Sequence, residues 1–239
     1  MRLSVLAPVI ILLAALPLRA EEADDDEGRP PVLNAATLKG DAPKIDAVLD
    51  DPAWKDAAAA GEFRLKEGSR ASGKTRLLVT RDATTLYIGI ECFEEEAALK
   101  ALKAVATQHD QDEIWGDDCI EIFIDPANKR DSYYQIIVNS KGVFWDAWHD
   151  APNNPDKSWN PGLKVAAKVG AKSWTCELAI PLAAFTHTAK TEAEWAFNVS
   201  RSRTAAGEST YWSPVYNDSS HHPEKFGRLL GMPALTLKK

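Results

Sequence analysis

Cysteine is scarce in this chain: three in 239 residues, Cys92, Cys119 and Cys176. They are widely separated, which excludes a dense disulfide framework and does not fit a zinc-site spacing. Two arrangements stay open. Cys92 and Cys176, both on apolar strand faces, could pair, or all three could be separate buried thiols. Long hydrophobic runs are also missing, apart from residues 3–16. That run is short for a membrane span. It follows Arg2 and leads into Leu18-Arg19-Ala20, so residues 1–20 read as a secretory signal peptide with cleavage expected after Ala20. No cysteine stands near that exit, which argues against a lipoprotein anchor, and no second run would hold the processed chain in a membrane. The expected location is secreted or periplasmic. Removing residues 1–20 leaves 26 basic residues against 35 acidic ones, a net charge of −9. An exported acidic protein is a poor candidate for nucleic acid or an anionic surface. Catalytic signatures are absent as well: no nucleophile elbow, no HExxH and no P-loop.

What is present is tryptophan, eight residues of it, and a succession of short alternating segments broken by turns. Residues 21–31 are acidic and then proline-rich, with little to bury, and read as a disordered leader. Residues 32–239 read as one domain. Strands are expected near 32–38, 75–80, 85–93, 132–139, 143–148, 163–169, 174–180, 195–201, 209–212 and 226–230. Asp51 is placed to cap a short helix over 52–60 that begins at Pro52, and apolar residues at helical spacing suggest a second over 94–106. There is no βαβ alternation. The fold class that follows is all-β, an antiparallel β-sandwich of jelly-roll or immunoglobulin-like type with one or two short helices.

The most informative stretch runs from Trp115 to Asp125. Alternation puts Ile120, Ile122 and Ile124 on a core face and Cys119, Glu121, Phe123 and Asp125 on the other. Trp115 precedes the strand in a Gly/Asp-rich loop. A flat ring beside a strand-borne carboxylate can hold a sugar, by stacking on C–H faces and accepting from hydroxyls. In the next strand Tyr133, Gln135, Ile137 and Asn139 share a face polar enough to extend such a site.

Six stretches in order resemble the family 9 carbohydrate-binding modules: 45–54, 115–125, Tyr134-Gln135-Ile136-Ile137-Val138-Asn139, 174–181, 195–201 and His221-His222-Pro223-Glu224-Lys225-Phe226-Gly227. The resemblance implies a non-catalytic β-sandwich that binds oligo- or polysaccharide at or near chain ends, often in support of polysaccharide degradation. It also implies a structural calcium as a possible cofactor; Asp46, Asp50, Asp125, Asn128 and Asp131 are the available turn ligands. In the family two tryptophans enclose the sugar. Trp115 matches the first, Glu121 a carboxylate contact and Asn217 an amide contact. Ser220 stands where the second tryptophan is expected, and Ile137 where a sugar-binding arginine is. His221, His222, Trp148 and Trp159 are the candidates for a substitute face. The competing readings are a glycosidase using Asp117, Asp118 or Glu121, a haem domain ligated through Met232, and a sandwich whose site has decayed into a structural or protein-binding surface.

Overall fold

The computed structural model describes residues 29–237; the signal-peptide reading and most of the acidic leader lie outside the described residues. Fifteen strands form two sheets. In chain order they are β1 (Val32–Asn34), β2 (Ala36–Thr37), β3 (Ala58–Ala60), β4 (Arg64–Leu65), β5 (Thr75–Arg81), β6 (Thr85–Phe93), β7 (Cys119–Asp125), β8 (Tyr133–Asn139), β9 (Phe144–His149), β10 (Pro155–Asp156), β11 (Lys164–Val169), β12 (Ser173–Pro181), β13 (Glu194–Arg203), β14 (Glu208–Tyr211) and β15 (Gly227–Leu230). The nine-stranded sheet has the order β1-β15-β13-β7-β8-β9-β10, with β14 and then β4 extending from the far half of β13. The six-stranded sheet has the order β11-β12-β6-β5-β2, with β3 on β5. All pairs are antiparallel except β1 with β15 and β2 with β5. The described residues form a β-sandwich with two short α-helices, as the strand pattern predicts.

The sheets meet through their inner faces. Ile120, Ile122 and Ile124 of β7 and Tyr134, Ile136 and Val138 of β8 pack with Leu86, Ile88 and Ile90 of β6 and with Cys176, Leu178 and Ile180 of β12. Each fully buried aliphatic side chain contributes about 1.5–3 kcal/mol, so this layer carries most of the stability. Cys92, Cys119 and Cys176 are separate, free and buried, which decides between the two arrangements left open by their spacing.

Both helices are shorter than the sequence predicts. The first, α1, spans Pro52–Lys55, and residues 58–60 turn into β3. Asp51 precedes it without capping it, because its carboxylate accepts from the Lys44 N–H instead (2.9 Å). Residues 45–54 lie across the outer face of the six-stranded sheet, where Glu177 holds them. Its fully buried carboxylate accepts from Asp46 N (2.9 Å), Ala47 N (2.7 Å) and Trp54 Nε1 (2.8 Å). Gly89 leaves the room: a Cβ there would stand 2.7 Å from a Leu49 methyl and 3.3 Å from the Trp54 ring. The second, α2, spans Glu96–Lys100. The expected continuation to 106 is overridden by two carboxylates. Asp118 takes the N–H of Lys103 (2.7 Å), and Asp117 takes those of Val105 (2.6 Å) and Ala106 (3.1 Å). Backbone donors spent this way cannot make helical bonds. The expected first strand, 32–38, is divided between sheets: β1 joins the larger and β2 the smaller.

Candidate functional site

The outer face of the nine-stranded sheet is where the sequence places its polar residues. It is not an open polar surface. Cys119, Glu121, Phe123 and Asp125 of β7 are all buried, as are Tyr133, Gln135, Ile137 and Asn139 of β8. Two irregular segments, 101–118 and 212–226, cover this face, the first passing round the edge of β9 at residues 109–110.

Cross-strand register sets the floor. Glu121 stands opposite Ile137 on one side and Ser200 on the other; Ile137 stands opposite Trp145, and Ser200 opposite Tyr211. One row therefore reads Trp145, Ile137, Glu121, Ser200, Tyr211. The Trp145 ring is buried, and Trp115 meets it edge-on, with ring centroids 5.1 Å apart and planes at 64°. Trp115 itself is 44% exposed. It sits in a single 3₁₀ turn, Asp112–Gly116, which is pinned by the buried side chain of Ile114. Segment 101–111 is tied down by Asp117, Asp118 and Asn139. Asn139 donates to Ala106 O (3.2 Å) and Asp117 Oδ2 (3.0 Å) and accepts from Lys141 N and Val143 N (3.1 Å each). Asn139 is thus fully buried and hydrogen-bonded within the protein. It supports the Trp115 turn and presents nothing to a ligand.

A second row carries a polar chain. Gln135 donates to Glu121 Oε2 (2.9 Å) and accepts from His149 Nε2 (2.9 Å). This fixes the His149 proton on Nε2. Tyr133 stacks on His149 (centroids 4.7 Å, 17°), and its hydroxyl bonds to His221 Nδ1 (2.5 Å). Burial sets the protonation states. It pushes Glu121 up to about 7, against the pull of the Gln135 amide, and pushes His149 and His221 down to about 4. At neutral pH both imidazoles are neutral, so the Tyr133 hydroxyl can donate to His221. Gln135 has no solvent exposure, whereas Glu121 keeps a 9% opening.

Segment 212–226 forms the opposite rim. Asn198 holds its start through Ser213 O and Ser213 N (2.9 Å each), and Arg130 holds its end through Phe226 O (2.7 Å). Asn217 is exposed and lines a shallow cavity of about 360 Å3 with Lys66, Glu67, Tyr216 and Asp218. Ser220 is half-buried. Of the suggested substitute faces, His222 is paired with Glu224 (2.8 Å). Trp148 lies flat against His187 (4.3 Å, 7°), and Trp159 is buried in the main core. Neither tryptophan can therefore face Trp115. Tyr216 is the other exposed aromatic among the described residues, at 52%. It holds a positive φ of 54° and packs its hydroxyl over Gly68, where a Cβ would lie 3.1 Å away.

The structure thus joins Glu121, Gln135 and His221 in one chain through His149 and Tyr133, and sets Trp115 at the end of the Glu121 row. Asn139 lies beneath the Trp115 loop, and Asn217 on the far rim. Trp145, His149 and Tyr216 were not picked out by sequence reasoning. Alternation through β9 would have placed Trp145 and His149 on this face. Asp117 and Asp118, available to the glycosidase reading, have their oxygens engaged by backbone N–H groups. Met232, required for the haem reading, is core. For calcium, Asp125, Asn128 and Asp131 share the 125–131 turn, whereas Asp46 and Asp50 belong to the strap on the other sheet. Asp125 accepts from the N–H groups of Ala127 (3.0 Å) and Arg130 (2.7 Å), and no three of the named carboxylates bring oxygens within 4.8 Å of one another among the described residues.

No curated protein matches this sequence. Several solved structures share its fold. A crystal structure from Bacteroides uniformis is 18% identical with a TM-score of 0.67, covering 84% of this chain and 98% of its own. A family 9 carbohydrate-binding module from Caldicellulosiruptor kristjanssonii, in complex with cellotriose, is 14% identical (TM-score 0.60; 85% and 95% covered). A family 9 module from the same organism in complex with glucose is 14% identical (TM-score 0.58; 87% and 96%). The description "Carbohydrate family 9 binding domain-like" matches residues 45–231, from the strap held by Glu177 to the end of the strand that closes the larger sheet. Matched over nearly all of its sandwich, the chain belongs to the carbohydrate family 9 binding domain-like family.

Proposed function

We propose that this chain is an exported, non-catalytic protein that binds an oligo- or polysaccharide by stacking a sugar ring on Trp115 and engaging Glu121. The observation that carries this reading is an exposed indole, braced edge-on by Trp145, at the end of the row that holds the buried Glu121 carboxylate. Asn217 and Tyr216 stand on the opposite rim. With Ser220 and Ile137 at the family's tryptophan and arginine positions, and Ile137 buried beneath the Trp115 loop, the ligand rests on one principal aromatic face. Affinity is then modest, since an aromatic platform contributes about 1–3 kcal/mol per stacked ring in comparable flat ligands. The signal-like residues 1–20 support export, and this reading places the protein beside secreted polysaccharide-degrading enzymes.

The test is a titration with cello-, xylo- and other oligosaccharides read by tryptophan fluorescence, together with Trp115→Ala and Tyr216→Ala. Saturable binding abolished by Trp115→Ala and weakened by Tyr216→Ala is the expected result. Absence of binding to any glycan across an array would overturn the proposal in favour of a protein-binding role for the same face.

A further inference from the structure

On the inner side of β9, away from the Trp115 face, three side chains meet. Asp146 stands opposite Ile136 in the register and is fully buried. His109 and Asp110 come to it from segment 101–111, which is fastened along β9 by Asp110 N to Phe144 O (3.2 Å). The His109 ring packs on Phe144 (4.4 Å). Its Nε2 lies 2.6 Å from Asp146 Oδ2 and 3.3 Å from Asp110 Oδ1. Donor atoms of all three residues fall within 4.8 Å of one another.

A simple His–Asp pair does not account for this arrangement. Asp146 Oδ1 is buried and has no hydrogen-bond partner. A carboxylate oxygen in that state loses its hydration without compensation, which is rare in native proteins. It points to a missing electrophile. We propose that His109, Asp110 and Asp146 bind one divalent transition-metal ion of the zinc class, in a site separate from the sugar-facing surface.

The donor set selects the ion. One imidazole and two carboxylates form the mixed N/O set that zinc takes, with the remaining position left to water. Calcium is disfavoured, since it takes six to eight oxygen ligands. Zinc bonds of about 2.0–2.2 Å in a tetrahedron put donor atoms about 3.3–3.6 Å apart. The Nε2 to Asp110 Oδ1 separation already meets this, and the shorter contact to Asp146 opens by less than about 1 Å as the Nε2 proton leaves to solvent. His109 is the exposed member, so the ion has an entry path.

The test uses the purified protein, stripped with EDTA and free of any polyhistidine tag, in competition with a chromogenic zinc chelator. One equivalent of zinc is expected to bind, with a rise in melting temperature that calcium does not reproduce. His109→Ala and Asp146→Asn should each weaken binding more than about 100-fold, because loss of even an outer-shell partner costs 10–100-fold. His109→Ala changes a side chain with one face in solvent and keeps the test valid if Asp146→Asn does not fold. No stoichiometric zinc uptake, or equal uptake by folded His109→Ala, would overturn the assignment and leave the Asp146 oxygen to a buried water. The readout needs no sugar, so it stands apart from the carbohydrate titration.

Discussion

Glu121→Gln gives the sharpest physical test of the buried row. Burial raises this carboxyl from its ordinary 4.5 to about 7. Between those two values the folded protein binds a proton that the unfolded chain releases. Stability from this group is therefore fully present below about pH 4.5 and lost as pH rises through 7. A shift of about 2.5 units at 1.36 kcal/mol per unit amounts to about 3 kcal/mol, of which about 2–3 kcal/mol falls between pH 5 and pH 8. The glutamine side chain keeps an acceptor for Gln135 and has no proton to lose. In urea titrations followed by circular dichroism, the variant should gain about 2–3 kcal/mol on the parent on going from pH 5 to pH 8. The difference isolates Glu121, because the other titrating groups are common to both proteins. Parallel stability profiles over that range would refute the reasoning, and would mean that Glu121 is ionised and solvated in the folded state.

The histidines give the opposite limb. His149 is held down at about 4 against an ordinary 6.5, so the unfolded state binds more protons in that window and stability falls as pH drops from 6.5 through 4; His149→Gln should remove about 3 kcal/mol of that acid loss, measured by the same titrations. Asn139→Ala strips four hydrogen bonds and leaves Asp117 Oδ2 short of a donor, so it should cost about 2–4 kcal/mol and weaken sugar binding by freeing the Trp115 turn; an unchanged urea midpoint would contradict this. The three buried thiols, with Cys92 pushed up to about 12, should resist a chromogenic thiol reagent in the native protein and titrate as three equivalents in denaturant, whereas fast native labelling would contradict their burial.

The strands and the core were legible because period-two alternation in 119–125 and 133–139 says which side chains share a face, and the isoleucines say which face is dry. Alternation does not say what covers the other face. Glu121, Gln135 and Asn139 read as an open polar surface, yet all three lie under irregular segments that carry no periodicity of their own. The same blindness applies to the expected helix over 94–106. Leu99 is buried as the spacing requires, but Val105 is exposed, because two aspartates some dozen residues downstream capture the local N–H groups. Long-range side-chain to backbone bonds leave no pattern in the segment they reshape. The Trp115 plate was legible as a flat ring in a loop before a strand; alternation puts its brace, Trp145, on the same face, but its place at the end of the Glu121 row needs the β7–β8–β9 register.

The parallel pairing of β1 with β15 has a mechanical consequence. Val32, Leu33 and Asn34 run alongside Arg228, Leu229 and Leu230, with Arg228 N to Pro31 O and Ala35 N to Leu230 O closing the two ends of the pair. A pull applied between the residue 31 end and the residue 231 end drags these strands in opposite directions along their length. The bonds across the pair then bear the load together, in shear, rather than opening one after another like a zipper.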